Sequence, residues 1–234
     1  MKPFPKIPNA ELYLCGGCVR DTLLGKEPKD RDFVVLTTQT FDELTKTIEG
    51  LPNAKVFLAK PEFYTIRCLI DGEPIDIAFP RAEDTYTDNR HPDNVKRVNS
   101  LLEDARRRDF TINSMYMSEN GDVIDYFDGA TDLMNRRIRA VEDPNERFKE
   151  DALRILRAIR FSIVLKFDIA CNTHSAIIDH KESLSVISTE RIREELNKCL
   201  LSNPESTFKL LKEYRLFELL ESKGLTFETT MKER

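Results

Sequence analysis

The sequence predicts an α+β chain in which a small mixed sheet flanked by helices is followed by an all-helical segment. Three observations predict it. Short apolar runs closed by Gly-Gly, Pro or Asp-Gly recur as far as Phe79, the pattern of half-buried strands. Beyond Pro144 the apolar residues recur instead at helical spacing. No apolar stretch approaches the roughly 20 residues of a membrane helix, so 234 residues must bury cores of their own, which they can do without disulfide or metal staples.

Leu12-Tyr13-Leu14-Cys15 reads as a short buried strand broken by Gly16-Gly17, and Val19 to Leu24 as a helix that ends at Gly25. Phe33-Val34-Val35-Leu36 is the second strand, and Phe41 to Glu49 suits a crossing helix. Lys55 to Ala59 is a strand. Tyr64 to Ile70 and Pro74 to Phe79 form a hairpin turning at Asp71-Gly72. From Thr85 to Val98, with Asn89-Arg90-His91-Pro92-Asp93-Asn94 at its centre, the chain is polar, shows neither period and reads as a mobile loop. Helix returns near Leu101. Past Pro144, helices are expected over Glu150 to Leu165, His174 to Leu184, Thr189 to Leu201 with Ser188 or Thr189 as cap, and Glu205 to Glu221. A boundary near residue 140 then separates a mixed head, 1–140, from a helical segment, 141–234.

The N-terminal Met1-Lys2-Pro3-Phe4-Pro5 lacks the apolar core of a secretion signal, and a cytoplasmic protein is expected. Cys15, Cys18, Cys68, Cys171 and Cys199 are an odd, scattered set rather than an oxidised framework. Cys15 and Cys18 have redox or zinc spacing but no second pair, so no metal role is assigned to them. His91, His174 and His180 show no ligand spacing. The net charge of -5 argues against a nucleic-acid partner only globally, because arginines cluster at 106–108, at 136–139 and along 147–160. A phosphate ligand needs a local positive pocket, whereas global charge sets the weaker long-range steering.

A strand that ends in two glycines and enters a helix leaves backbone N–H groups and space for an anion, so Gly16 and Gly17, with Arg20 one turn on, read as a phosphate seat. Lys29-Asp30-Arg31-Asp32 alone would be a solvated turn. Beside the glycine turn it reads as a catalytic pair, since alternate strand residues point the same way and set the Asp30 and Asp32 carboxylates side by side. Such a pair is stable chiefly when a divalent cation neutralises it, and oxygen ligands supplied with substrate phosphates suit Mg²⁺. Asp76, in Pro74-Ile75-Asp76-Ile77-Ala78, alternates with apolar neighbours and offers a third carboxylate. Three acids can hold the two metals of in-line phosphoryl displacement.

Gly16-Gly17-Cys18-Val19-Arg20-Asp21-x-Leu23-Leu24-Gly25 followed by Asp30-x-Asp32 resembles the signature of the tRNA CCA-adding enzyme and bacterial poly(A) polymerase family, in its bacterial and eukaryotic class II. The resemblance runs from about Leu12 to about Leu220. It implies a nucleotidyltransferase head, then a helical neck that begins the remainder of a longer architecture with body and tail domains. Arg107-Arg108-Asp109-Phe110-Thr111-Ile112-Asn113 resembles the family's second motif, implying that Asp109 accepts a ribose 2′-OH while Arg108 holds nucleotide or phosphate. Asp128-Gly129-x-x-Asp132-Leu133 and Thr189 to Leu196 match further family segments.

Glu150-Asp151-Ala152-Leu153-Arg154-Ile155-Leu156-Arg157 is the third motif. On the expected helix, Asp151, Arg154 and Arg157 share a surface opposite an apolar face of Ala152, Ile155, Leu156, Ile159 and Ile163. By itself that spacing is an ordinary surface ion pair. Cytosine and adenine, however, each pair an exocyclic amino donor with a ring-nitrogen acceptor, which an Asp acceptor and an Arg donor complement, while uracil and guanine present the opposite polarity. The resemblance accordingly implies that Asp151 and Arg154 choose CTP and ATP, with Arg157 in reach of the nucleotide. Phe161 projects near that stripe, where packing is the expected role. The expected reaction is addition of C and A to an RNA 3′ end, most naturally the CCA end of tRNA, with the loop from Thr85 to Val98 moving as the preference changes. Poly(A) synthesis, CC-only or A-only addition, an inactive RNA-binding relative and a nucleotide sensor remain open from the motifs alone.

Overall fold

The computed structural model describes residues 2–28, 30–83 and 95–226, which fall into two compact units. The first takes the described residues up to 83, then 95–135 and 140–142; the second takes 136–139 and 143–226.

The first unit follows the chain as β1 (Ala10–Cys15), α1 (Gly17–Leu23), β2 (Asp32–Thr37), α2 (Phe41–Glu49), β3 (Ala54–Lys60), β4 (Thr65–Ile70), β5 (Glu73–Ala78), β6 (Arg81–Glu83) and β7 (Val95–Arg97). It continues with α3 (Leu101–Arg106), β8 (Tyr116–Met117), β9 (Val123–Ile124) and α4 (Gly129–Met134). Seven strands form one sheet in the order β3-β4-β5-β2-β1-β8-β9. Its pairs are antiparallel except β2 with β5, which makes the sheet mixed. Phe33, Val34 and Val35 are all buried, as befits a central strand covered on both faces. Helix α2 begins where expected because Thr40 and Glu43 form a reciprocal capping box, and it sinks Leu44 and Ile48 into the core. Asp71 and Gly72 both take positive φ, 52° and 81°, the backbone of a tight hairpin turn that matches strand twist.

One expectation is corrected here. Val95–Arg97 is not loop but β7, paired with β6 so that Arg97 lies opposite Arg81. The Arg97 guanidinium packs 4.2 Å over the Phe79 ring and donates to the carbonyls of Thr37 and Gln39, so a polar run is anchored by one side chain. Residues 85–94 of the expected loop, His91 included, and Lys29 lie outside the described residues.

The second unit contains β10 (Arg137–Ile138), α5 (Pro144–Glu150), α6 (Leu153–Leu165), β11 (Asp168–Ile169), α7 (Cys171–His180), α8 (Thr189–Ser202), α9 (Pro204–Glu213) and α10 (Phe217–Ser222). It is helical apart from the short parallel pair β10 and β11, which the helical expectation missed. The single helix expected over Glu150 to Leu165 is two: α5 opens with Asp143 as cap and Pro144 in its first turn, and the chain is extended at Asp151 before α6 starts. The helix expected to Leu184 ends at His180 and continues as a 3-10 turn over Lys181–Val186. The helix expected over Glu205 to Glu221 breaks before Leu216, where Arg215 takes a φ of 54°. Helix α6 packs on α8 and α9 and is buried nearly all round, so it has no broad solvent face.

Candidate active site

Asp32 opens β2 and stands in register with Asp76 on the parallel neighbour β5. Paired positions of adjacent strands point to the same face, so the two carboxylates are neighbours across the sheet. Asp30 is exposed two residues earlier, and the three aspartates line a cleft of about 310 Å³. Burial, followed by repulsion from Asp76 and Asp30, raises the Asp32 carboxyl above its ordinary 3.8; Arg108 and Arg67 offset this only in part. Asp76 is gripped by both arms of Arg67, Nε to Oδ1 at 2.7 Å and Nη2 to Oδ2 at 2.6 Å. Among the described residues no group of three or more His, Cys, Asp and Glu is arranged to hold a metal by itself. With Asp76 committed to Arg67, Asp30 and Asp32 are the cleft carboxylates left without such a clamp, and two crowded carboxylates fit a hard cation that takes its other ligands from water and phosphate.

Cys18, expected to have no role beyond its place in the motif, brackets the aspartates. Its thiol donates to the Asp30 carbonyl at 2.9 Å and accepts from the Asp32 N–H at 3.2 Å. Burial pushes this thiol up to about 12, so it acts as a neutral hydrogen-bonding group.

The glycine turn also makes room for side chains. Gly16 takes a φ of 66° and donates its N–H to the Met115 carbonyl at 3.3 Å. A Cβ on Gly16 would lie 3.1 Å from Arg108 Nη1, and one on Gly17 would lie 3.4 Å from Arg20 Nη2. The missing side chains thus admit two guanidiniums. Arg108 is no exposed helix arginine: Asp104 accepts from its Nε and Nη2 at 3.2 and 2.9 Å, and Nη1 reaches the Asn113 carbonyl at 3.3 Å. Asp104 is fully buried, also receives Arg107 and the Tyr116 hydroxyl, and was missed from the sequence. Its burial opposes ionisation, but Arg107 and Arg108, aided by Tyr116, hold the carboxyl well below the usual range.

Arg20 and Asp109, from separate motifs, meet through Asn113, whose Oδ1 accepts from Arg20 at 2.7 Å and whose Nδ2 donates to Asp109 at 3.1 Å. Asp109 is buried and also accepts from the Phe110 N–H at 2.7 Å. The 3-10 turn Thr111–Asn113 that supports this chain is held by Asp132, which accepts from the Thr111 hydroxyl at 2.7 Å.

In the second unit, Asp151, Arg154 and Arg157 do not form the expected stripe on one helix. Asp151 precedes α6; its Oδ1 accepts from the Leu153 N–H at 3.0 Å and its Oδ2 from Arg191 at 3.2 Å. Arg154 is buried and donates to Glu150 at 2.6 Å and to the Arg147 carbonyl at 3.1 Å. Arg157 and Arg160 lie 5.5 and 4.1 Å from the buried Phe161 ring, so that ring packs under cations. Arg191, which belongs to the Thr189 to Leu196 segment, is the residue that sequence spacing could not tie to Asp151.

Two family models match the chain: the poly A polymerase head domain over residues 12–139, and the "Probable RNA and SrmB- binding site of polymerase A" over residues 166–222. A CCA-adding enzyme of Levilactobacillus brevis is 46% identical over 190 residues, covering 81% of this chain and 46% of the relative. The Thermotoga maritima CCA-adding enzyme complexed with tRNA superposes with a TM-score of 0.76 at 30% identity, covering 95% of this chain and 50% of that one. The Bacillus stearothermophilus CCA-adding enzyme in complex with CTP gives 0.73 at 32% identity, covering 93% and 49%. The chain therefore spans about half the length of the relatives it matches.

Proposed function

The chain belongs to the poly A polymerase head-domain family, and from that premise we propose that it transfers CMP and AMP from CTP and ATP to the 3′ end of tRNA, completing CCA and releasing pyrophosphate. The observation that carries this reading is the cleft in which Asp30 and Asp32 stand beside Asp76 across a parallel strand pair. The acceptor 3′-oxygen forms a bond to the α-phosphorus, and the bond to the bridging oxygen of pyrophosphate breaks. Asp30 and Asp32 would hold Mg²⁺, which would supply Lewis-acid stabilisation of the transferring phosphoryl group. Asp76, clamped by Arg67, sets the electrostatics of Asp32 beside it. Arg108 and Arg20, drawn against the glycine turn, receive the triphosphate, and Asp109 takes the ribose 2′-OH that marks an RNA precursor. Asp151 and Arg154 select C and A by exchanging their present partners, Arg191 and Glu150, for the base edge, and Arg157 stands one turn further on. No described helix is long and apolar enough to cross a membrane, and we assign the reaction to the cytoplasm, where tRNA and nucleotides meet.

The name of the matching head-domain family favours a second reading, tail synthesis from ATP alone. The catalytic assignment is tested by replacing both carboxylates, Asp30→Ala with Asp32→Ala, and following incorporation of labelled CTP and ATP into tRNA lacking its CCA end. Loss of roughly a thousandfold or more in rate, equivalent to about 4 kcal/mol of transition-state stabilisation, is expected. Unchanged extension by the double variant refutes the assignment.

A further inference from the structure

Phe57 sits oddly for a phenylalanine. It is 51% exposed on β3, the edge strand of the sheet, yet it lines the same cleft as Asp30, Asp32 and Asp76. The register explains how it gets there. Val56 lies opposite Cys68 and Leu58 opposite Arg67, so Phe57 is the extra residue where the β3–β4 ladder shifts. A bulge re-aims a side chain that strict alternation would send elsewhere, and bulges gather at sheet edges and beside active sites.

The ladder also fixes what Phe57 is next to. Leu58 pairs with Arg67, Arg67 with Asp76, and Asp76 with Asp32, a row running straight across β3, β4, β5 and β2. Three strand spacings separate the ends of that row by about 14 Å between backbones. Phe63, exposed on the same edge, carries Lys60 over its face at 5.9 Å; among the described residues Phe57 has no ring or cation partner.

We propose that Phe57 is the platform on which the 3′-terminal base of the acceptor RNA stacks while its 3′-OH is presented to the carboxylates. The proposal rests on the nucleotidyl-transfer reading above and names the acceptor subsite of that same cleft. The rest of the cleft is charged apart from Pro74, so the ring is the one flat apolar surface among its described lining residues, and it suits the face of a base whose sugar and phosphates stay among polar groups. Stacking also has the tolerance that stepwise addition requires. The terminal base of the acceptor changes after each transfer, and an aromatic face accepts any base because it makes no hydrogen bonds to base edges.

The test measures KM for tRNA lacking CCA and KM for CTP separately, in the wild type and in Phe57→Ala, Phe57→Tyr and Phe57→Trp. Because the ring is exposed, the thermal unfolding midpoint of each variant should match the wild type. Phe57→Ala is expected to raise KM for the RNA about tenfold or more, to leave KM for CTP unchanged, and to be rescued by Tyr and Trp. An unchanged KM for RNA overturns the proposal, and so does a rise in KM for CTP in its place, which would assign the ring to the incoming base. Should the wild type fail to extend RNA, the transfer reading falls on its own. Filter binding of tRNA then decides the platform, which requires weaker binding by Phe57→Ala and is overturned by equal binding.

Discussion

The head holds its arginines in place with a carboxylate that faces no cleft. Asp104 is wholly buried and accepts from Arg107, Arg108, Tyr116 and the backbone N–H of Arg81, so it fixes the guanidinium that lies against Gly16. Its carboxyl is held well below 3.8, and a group depressed on folding contributes stability that is complete above the unfolded value and is lost as pH falls toward the folded one. Asp104→Asn is therefore expected to destabilise the protein by about 3–5 kcal/mol at pH 7, the cost of stranding buried charges. The gap to the wild type should start to close below pH 3.8, the ordinary carboxyl value, in urea melts at stepped pH; equal stability at pH 7 contradicts this role. The sequence did not point to Asp104, because an Asp three and four residues before arginines looks like a surface ion pair. Cys18 was hidden for a different reason: it binds the main chain of Asp30 and Asp32, and contacts to backbone leave no trace in residue spacing.

Helix α4 acts on the site by fit. A Cβ on Gly129 would stand 2.2 Å from the Thr111 carbonyl oxygen, so only glycine lets α4 lie against the 3-10 turn that presents Asn113 to Asp109 and Arg20. Gly129→Ala is expected to cost about 1–3 kcal/mol as the turn or the helix shifts, with a raised KM for CTP as Asp109 moves; an unaltered urea midpoint would show that the turn yields freely. Strands β1 to β5 and α2 were legible because each carries its own local signal, such as an apolar run, an Asp-Gly turn or a capping box, whereas the two- and three-residue strands β6 to β11 are too short to show a period. The break between α5 and α6 was not, since apolar spacing runs unbroken from Ala152 to Ile163 and the interruption comes from an Asp side chain that binds the N–H of Leu153. The Asp143-Pro144 start was the readable part of that signal. Periodicity also misjudged α6, whose supposed polar face is covered by neighbouring helices so that Arg154 is buried; Phe161 is buried as its expected packing role requires.

Taken whole, the chain divides into two units whose boundary is not a single cut. Residues 136–139 join the helical unit through β10, while 140–142 return to the head, where the Val141 N–H reaches the Asp109 carbonyl at 3.1 Å. A linear reading with one border near 140 cannot show a chain that passes from one unit to the other more than once. Net charge was equally coarse: of the arginines at 106–108, two pair with the buried Asp104, and only their neighbour Arg106 is exposed. The proposed chemistry rests on residue types read from the sequence: two acids for a cation, an aspartate for a ribose, and an Asp with an Arg for a base edge. The decisive measurement is to incubate the protein and Mg²⁺ with tRNA lacking CCA, giving CTP, ATP, UTP and GTP singly and then CTP with ATP, and to sequence the 3′ ends. The account predicts C addition from CTP alone, completed CCA from the mixture, and no extension from UTP or GTP. A long A tail from ATP alone, or equal use of all four nucleotides, would contradict it.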